Sequence, residues 1–184
     1  MWPSGMASLG LSLSGRIPAS EQAGSGRAVA RLTDLGWGEQ LRALFAPGTA
    51  DGEVPIPLRH AIAEAVQHWD LDEPPDAIVA MGSVSHAALV AHLADGMSRF
   101  LSLPLVATFT VTGNAGTGVG EANSAQRLRA VAGRYTLDDP AAVEGRRVLL
   151  VDDRSISGWT LAVAARELRR AGAVAVHPLV LASG

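Results

Sequence analysis

The run Val148-Leu149-Leu150-Val151 is followed at once by Asp152 and Asp153, a turn of small residues, and helical periodicity over 161–171. An apolar run this short, ending in a turn and a helix, is a strand buried on both faces of a parallel sheet. Open sheets of that kind bind ligands outside the carboxyl ends of their strands, which is where the two carboxylates fall. Ser157, Gly158 and Thr160 then bring hydroxyls and backbone N–H groups to a helix N-terminus, a seat for a phosphate. Carboxylates for sugar hydroxyls or Mg²⁺ beside such a seat imply a phosphorylated sugar as ligand. A solvated sheet edge that simply ends in Asp-Asp is the plainer alternative, and the added Ser-Gly-x-Thr spacing is what favours a site.

The same unit occurs earlier in the chain. Ala77-Ile78-Val79-Ala80-Met81 reads as a buried strand, Gly82-Ser83-Val84-Ser85-His86 as its loop, and a helix runs on through Phe100. Further strands are expected over 103–111, near 134–137 and over 173–181. Further helices are expected over 38–45, 57–69 and 123–131, the last capped by Asn123 or Ser124. The glycine-rich stretch 112–120 is too polar and flexible to pack, and reads as a mobile loop. This alternation gives an α/β fold, a mainly parallel open sheet with helices on both faces and right-handed crossovers. Residues 1–33 are rich in Gly, Ser and Pro and read as a connector, with a hairpin over 9–17. The expected division is an N-terminal extension over 1–70, a hairpin plus two helices, and a core over 71–184.

Composition narrows the chemistry. With 184 residues, 48% of them hydrophobic, and a net charge of −3, the chain can bury one full core and has no room for a second large domain. The absence of Cys excludes disulfides, thiolate catalysis and Cys-based zinc sites, and the five scattered His form no ligand cluster, so neither zinc nor haem is expected. All fifteen basic residues are Arg, so a Schiff-base lysine or a Walker-type ATPase is impossible. No signal peptide or membrane span is visible, which suits a cytoplasmic protein.

The spacing around residues 148–160 resembles the 5-phosphoribosyl-1-pyrophosphate (PRPP) motif of type I phosphoribosyltransferases: four apolar residues, two acids, three residues, then Ser or Thr, Gly, any residue, Thr. The resemblance implies that Asp152 and Asp153 hold the ribose hydroxyls, that Ser155, Ile156, Ser157, Gly158, Trp159 and Thr160 form the 5′-phosphate loop, and that Gly82 and Ser83 lie in the pyrophosphate loop. It also implies Mg²⁺ bridging PRPP oxygens, with Asp152 and Asp153 as possible ligands. Arg154, Ser155 and Trp159 depart from the motif. Arg154 is placed to form an ion pair with the two acids, and Trp159 adds bulk to the phosphate loop.

A second resemblance covers more of the chain. Met1-Trp2-Pro3-Ser4-Gly5-Met6, Gly15-Arg16-Ile17-Pro18-Ala19, the stretches 32–38 and 41–44, Asn123-Ser124-Ala125-Gln126-Arg127-Leu128-Arg129, and Val148 to Asp153 with Gly158-Trp159-Thr160 are similar to the phosphoribosyltransferase-like region that follows the core of bacterial RecQ-type ATP-dependent DNA helicases. In that group Trp before Thr is expected, so Trp159 fits. This implies an accessory module that binds PRPP, a phosphorylated ribose or a nucleotide beside a helicase core, with no helicase activity of its own. An active Mg-dependent transferase and a DNA-contacting surface remain as alternatives. The DNA surface would use Arg127, Arg129, Arg134, Arg146 and Arg147, from a C-terminal third with nine Arg against seven acids. His86, the one cation of its loop, reads more readily as a surface residue at a helix start than as a catalytic one. Trp37 and Trp69 read as packing residues, and Trp2 as a contact to a preceding domain.

Overall fold

The computed structural model describes residues 17–112 and 133–184. Six strands form one sheet: β1 (Arg27–Arg31), β2 (Ala77–Ala80), β3 (Leu105–Val111), β4 (Tyr135–Leu137), β5 (Arg147–Ser155) and β6 (Ala175–Ser183). Their spatial order is β1-β6-β5-β2-β3-β4, with every pairing parallel except β3 with β4. The described helices are α1 (Trp37–Leu44), α2 (Ile56–Gln67), α3 (Ala87–Leu101) and α4 (Trp159–Arg170). The architecture is the expected α/β one, with a mainly parallel open sheet.

Alternation along the strands builds two cores. Ile78, Ala80, Leu149, Val151, Leu179 and Leu181 point to one face, where α1, α2 and α3 cover them with Leu41, Leu58, Ile62, Leu89 and Leu93. Their neighbours Val79, Met81, Val148, Leu150, Val176 and Val180 point to the other, beneath Leu161, Ala165 and Leu168 of α4. β2 is buried along its whole length, as a strand covered on both sides must be. α2 carries Pro57 in its first turn, where the missing N–H costs nothing. α3 stops at Ser102, which takes a left-handed φ of 55° while the Ser98 hydroxyl donates to the Leu103 carbonyl at 2.6 Å.

Two expectations need correcting. Residues 27–31 are not connector: they form β1, in parallel register with β6 from Arg27 opposite Leu179 to Arg31 opposite Ser183. The sheet therefore draws on residues from both sides of position 70. β5 also continues past Val151 to Ser155, because β6 supplies paired backbone as far as Ser183. The expected hairpin over 9–17, the glycine-rich loop and the helix over 123–131 lie, Ile17 and Thr112 apart, outside the described residues.

Residues 18–22 are fastened to the back of α4. The Arg166 guanidinium pairs with Glu21 at 2.7 Å, Arg170 reaches the same carboxylate at 3.2 Å, and Arg169 donates to the Ser20 carbonyl at 2.7 Å. The Arg166 hydrogen bond is the main reason the Glu21 carboxyl titrates below the usual range. No described helix is long and apolar enough to cross a membrane.

Candidate functional site

Because β5 runs on through the acidic pair, strand alternation sends the two carboxylates to opposite faces of the sheet. Asp152 continues the face covered by α4, and Asp153 the face covered by α1 to α3. Both are buried, 6% and 7% exposed. They meet through the backbone, where the Asp153 N–H donates to Asp152 Oδ1 at 2.8 Å. Burial, and then the Asp153 charge, push the Asp152 carboxyl up to about 8, so it carries a proton at neutral pH.

Asp153 has a partner that sequence spacing does not show. His86 Nδ1 lies 2.7 Å from Asp153 Oδ2, with the two side chains only 14% and 10% exposed. The imidazole packs edge-on against Phe45 at 5.3 Å, and its backbone N–H donates to Ser83 Oγ at 3.0 Å. His86 is therefore at the start of α3, as expected, but its side chain is turned inward to the acid and half-buried rather than on the open surface. Arg154 does not form the expected ion pair: its guanidinium lies over the Phe45 ring, 5.0 Å from the centroid.

The carboxyl ends of β2 and β5 open onto a cleft of about 240 Å³. Gly82, Ser83, Asp152, Asp153, Ser155, Ile156, Ser157, Gly158 and Thr160 all line it. Trp159, the first residue of α4, is the one expected site residue that does not. Gly158 takes φ +74°, which lets the chain turn from strand into helix, and as the N-cap residue of α4 it brings no side chain to the first-turn amides. Gly82 is needed for a different reason: a Cβ there would sit 2.2 Å from the Phe109 carbonyl oxygen, so only glycine lets the loop press against β3.

Sequence reasoning did not place Tyr135 at this cleft, and it read Arg134 as part of a DNA surface. Both line the cleft, Tyr135 from the first position of β4 and Arg134 from just before it, with the Arg134 guanidinium 5.7 Å from the Tyr135 ring centroid. The periodicity of β4 signalled a strand, but nothing local says that an antiparallel edge strand returns to this sheet end. Burial, partly offset by Arg134, raises the Tyr135 phenol, and the nearby Asp152 and Asp153 add to the rise. Arg147 is at the amino end of β5, bound to Asp76 at 2.9 Å and to the Pro74 carbonyl at 2.7 Å. Arg134 and Arg147 thus lie at opposite ends of the sheet and do not form one basic patch.

The residues fit Mg²⁺ as a companion of a phosphorylated ligand rather than as a resident ion. No group of three or more acidic or His ligands gathers among the described residues. The two carboxylates diverge, and His86 takes one of them. Mg²⁺ commonly binds through one or two carboxylates plus substrate phosphates and water, which is what this cleft has room to offer.

No protein-family model matches the chain, and no curated protein sequence matches it. Among solved structures it is similar to a purine phosphoribosyltransferase from Pyrococcus horikoshii, at 24% identity and a TM-score of 0.45 over 69% of this chain and 71% of that one. It is also similar to the glutamine PRPP amidotransferase of B. subtilis complexed with ADP and GMP, at 26% identity and a TM-score of 0.40 over 67% of this chain. That match spans only 25% of the amidotransferase. A hypothetical protein from Neisseria gonorrhoeae with bound ppGpp aligns over 73% of this chain and 72% of its own, at 18% identity and a TM-score of 0.46.

Proposed function

We propose that the cleft binds a phosphorylated ribose, as PRPP, a ribose phosphate or a nucleotide. The observation that carries this reading is the meeting of two buried carboxylates with the N-terminus of α4 across one small cleft. Ser157, Thr160 and the first-turn amides of α4 would hold the 5′-phosphate, where backbone N–H groups and the helix dipole favour negative charge. Asp153, held in place by His86, would accept from one ribose hydroxyl, and the Asp152 carboxyl, raised to about 8, would donate to another. Mg²⁺ would arrive with a diphosphate-bearing ligand and neutralise it.

The test is calorimetric titration of the full chain with ribose 5-phosphate, AMP and PRPP plus Mg²⁺. Asp153→Asn and the pair Ser157→Ala with Thr160→Ala should each weaken binding about tenfold or more, the worth of a lost charge-assisted hydrogen bond. Unchanged affinity in both variants would remove the reading.

A second reading, phosphoribosyl transfer from PRPP to a base, is favoured by one observation. Burial and the Asp153 charge raise the Asp152 carboxyl to about 8, so this cleft residue is suited to hold a proton for transfer. Release of pyrophosphate from PRPP in the presence of a base panel, lost in Asp152→Asn, would establish it. An accessory role beside a RecQ-type helicase core rests on the sequence resemblance alone. It predicts that PRPP or AMP alters the unwinding rate of such a helicase when this chain is attached, and an unaltered rate would end it.

A further inference from the structure

A second cavity, of about 290 Å³, lies between α2 and α3 and shares no lining residue with the cleft. Gly96, in its wall, stands about 15 Å along α3 from His86, the end of the helix that meets Asp153. The floor is apolar: Val54, Ile62, Leu93 and Met97 are buried there, and the exposed ring of Phe100 lines it as well. The segment before α2 is pinned to α3. Asp51 accepts from the Ala88 N–H at 2.7 Å and the Leu89 N–H at 3.0 Å, and the Val54 N–H donates to His92 Nδ1 at 3.4 Å.

The polar groups around that floor are basic. Arg59, His60, His92 and Arg99 line the cavity, and no carboxylate does, Glu64 of α2 and Asp95 of α3 included. Glu53 stands outside the lining, with Oε2 2.6 Å from Arg59 Nη2 and 3.6 Å from His92 Nε2. Arg59 also donates to the Val54 carbonyl at 2.6 Å. Arg99 is left over: an exposed guanidinium with no ion pair or hydrogen bond among the described residues. Gly96 keeps the space beside it open. Glycine weakens a helix interior relative to alanine, and no neighbour requires it here, since a Cβ at Gly96 would meet nothing within 4 Å. A longer side chain at this position would occupy the cavity.

We propose that this cavity binds a small carboxylic acid with an apolar body, an alkyl or aryl carboxylate, its body over Leu93, Met97 and Phe100 and its carboxylate on Arg99. An apolar lining with a few polar groups that fix orientation is the usual make-up of a small-molecule site, and the volume suits a ligand of modest size. A neutral ligand of the same shape gains nothing from Arg99, and an anion without an apolar body gains nothing from the floor. The site is separate from the ribose reading of the cleft and does not depend on it.

Calorimetric titration of the full chain with octanoate, octan-1-ol and butyrate tests this. Octanoate should bind once per chain. Octan-1-ol, which lacks the charge, and butyrate, which lacks most of the apolar body, should each bind about tenfold or more weakly. Arg99→Gln should weaken octanoate about tenfold and leave octan-1-ol where it was. Gly96→Leu should abolish octanoate binding by filling the cavity. Arg99 is exposed and unpaired, so its variant tests the site even where Gly96→Leu does not fold. No octanoate binding, octan-1-ol binding as tightly as octanoate, or octanoate binding unchanged in the Arg99→Gln protein would each overturn the proposal.

Discussion

His86 Nδ1 and Asp153 Oδ2 are 2.7 Å apart, so a loop residue after β2 holds the carboxylate that β5 presents from the neighbouring strand. The contact ties together the two loops that form the cleft, and it keeps Asp153 from being a buried charge without a partner.

His86→Ala should therefore destabilise the protein by about 1–3 kcal/mol, the penalty of leaving a buried acceptor unpaired. His86→Asn, which can still donate, should recover part of the loss. Urea unfolding of the three proteins measures it, and equal midpoints would show that the pair adds nothing to stability.

Asp152 gives a pH dependence of definite sign. Its carboxyl is raised from 3.8 to about 8, so between those values the folded chain binds a proton that the unfolded chain has released. Stability should fall as pH rises through this window and level off above pH 8. Asp152→Asn removes the dependence, and should unfold later than the wild type at pH 8 and flatten the profile from pH 5 upward. A wild-type profile that is already flat would contradict the raised carboxyl.

Gly82→Ala forces a methyl group to 2.2 Å from the Phe109 carbonyl oxygen, and backbone cannot step aside as a flexible side chain can. The expected cost is about 1–3 kcal/mol, seen as a lower melting temperature. Affinity for ribose 5-phosphate should fall with it, since the loop also forms a wall of the cleft.

Gly158→Ala meets no neighbour within 4 Å, so any loss there comes from its φ of +74° alone. Destabilisation of about 1 kcal/mol is expected, and less for Gly158→Asn, which tolerates the left-handed region better. Denaturant midpoints of the two variants should fall in that order. Equal midpoints would mean that the turn relaxes to another conformation.

Much of the fold is legible because its strands are short apolar runs separated by helical periodicity. The runs around Val79, Phe109, Leu150 and Leu179 each lie in an observed strand, with ends within a few residues except where β5 continues through its acids. β1 is harder to read: Arg27-Ala28-Val29-Ala30-Arg31 has three small or medium apolar residues between two Arg, a half-buried edge strand whose identity comes from pairing with β6. The phosphate-seat turn was readable from Ser157, Gly158 and Thr160, since that chemistry is local. The His86 and Asp51 contacts were not, because each joins residues separated in sequence by more than 35 positions and depends on how the sheet brings its loops together.

The place of β1 also decides where the chain can be cut. A fragment trimmed to residues 71–184 would lose the strand that covers β6, and a row of unpaired backbone groups from Leu179 to Ser183 would become an open edge. Open edges recruit other chains. Such a fragment would tend to self-associate through β6, so a usable shorter form has to keep the modest strand at residues 27–31.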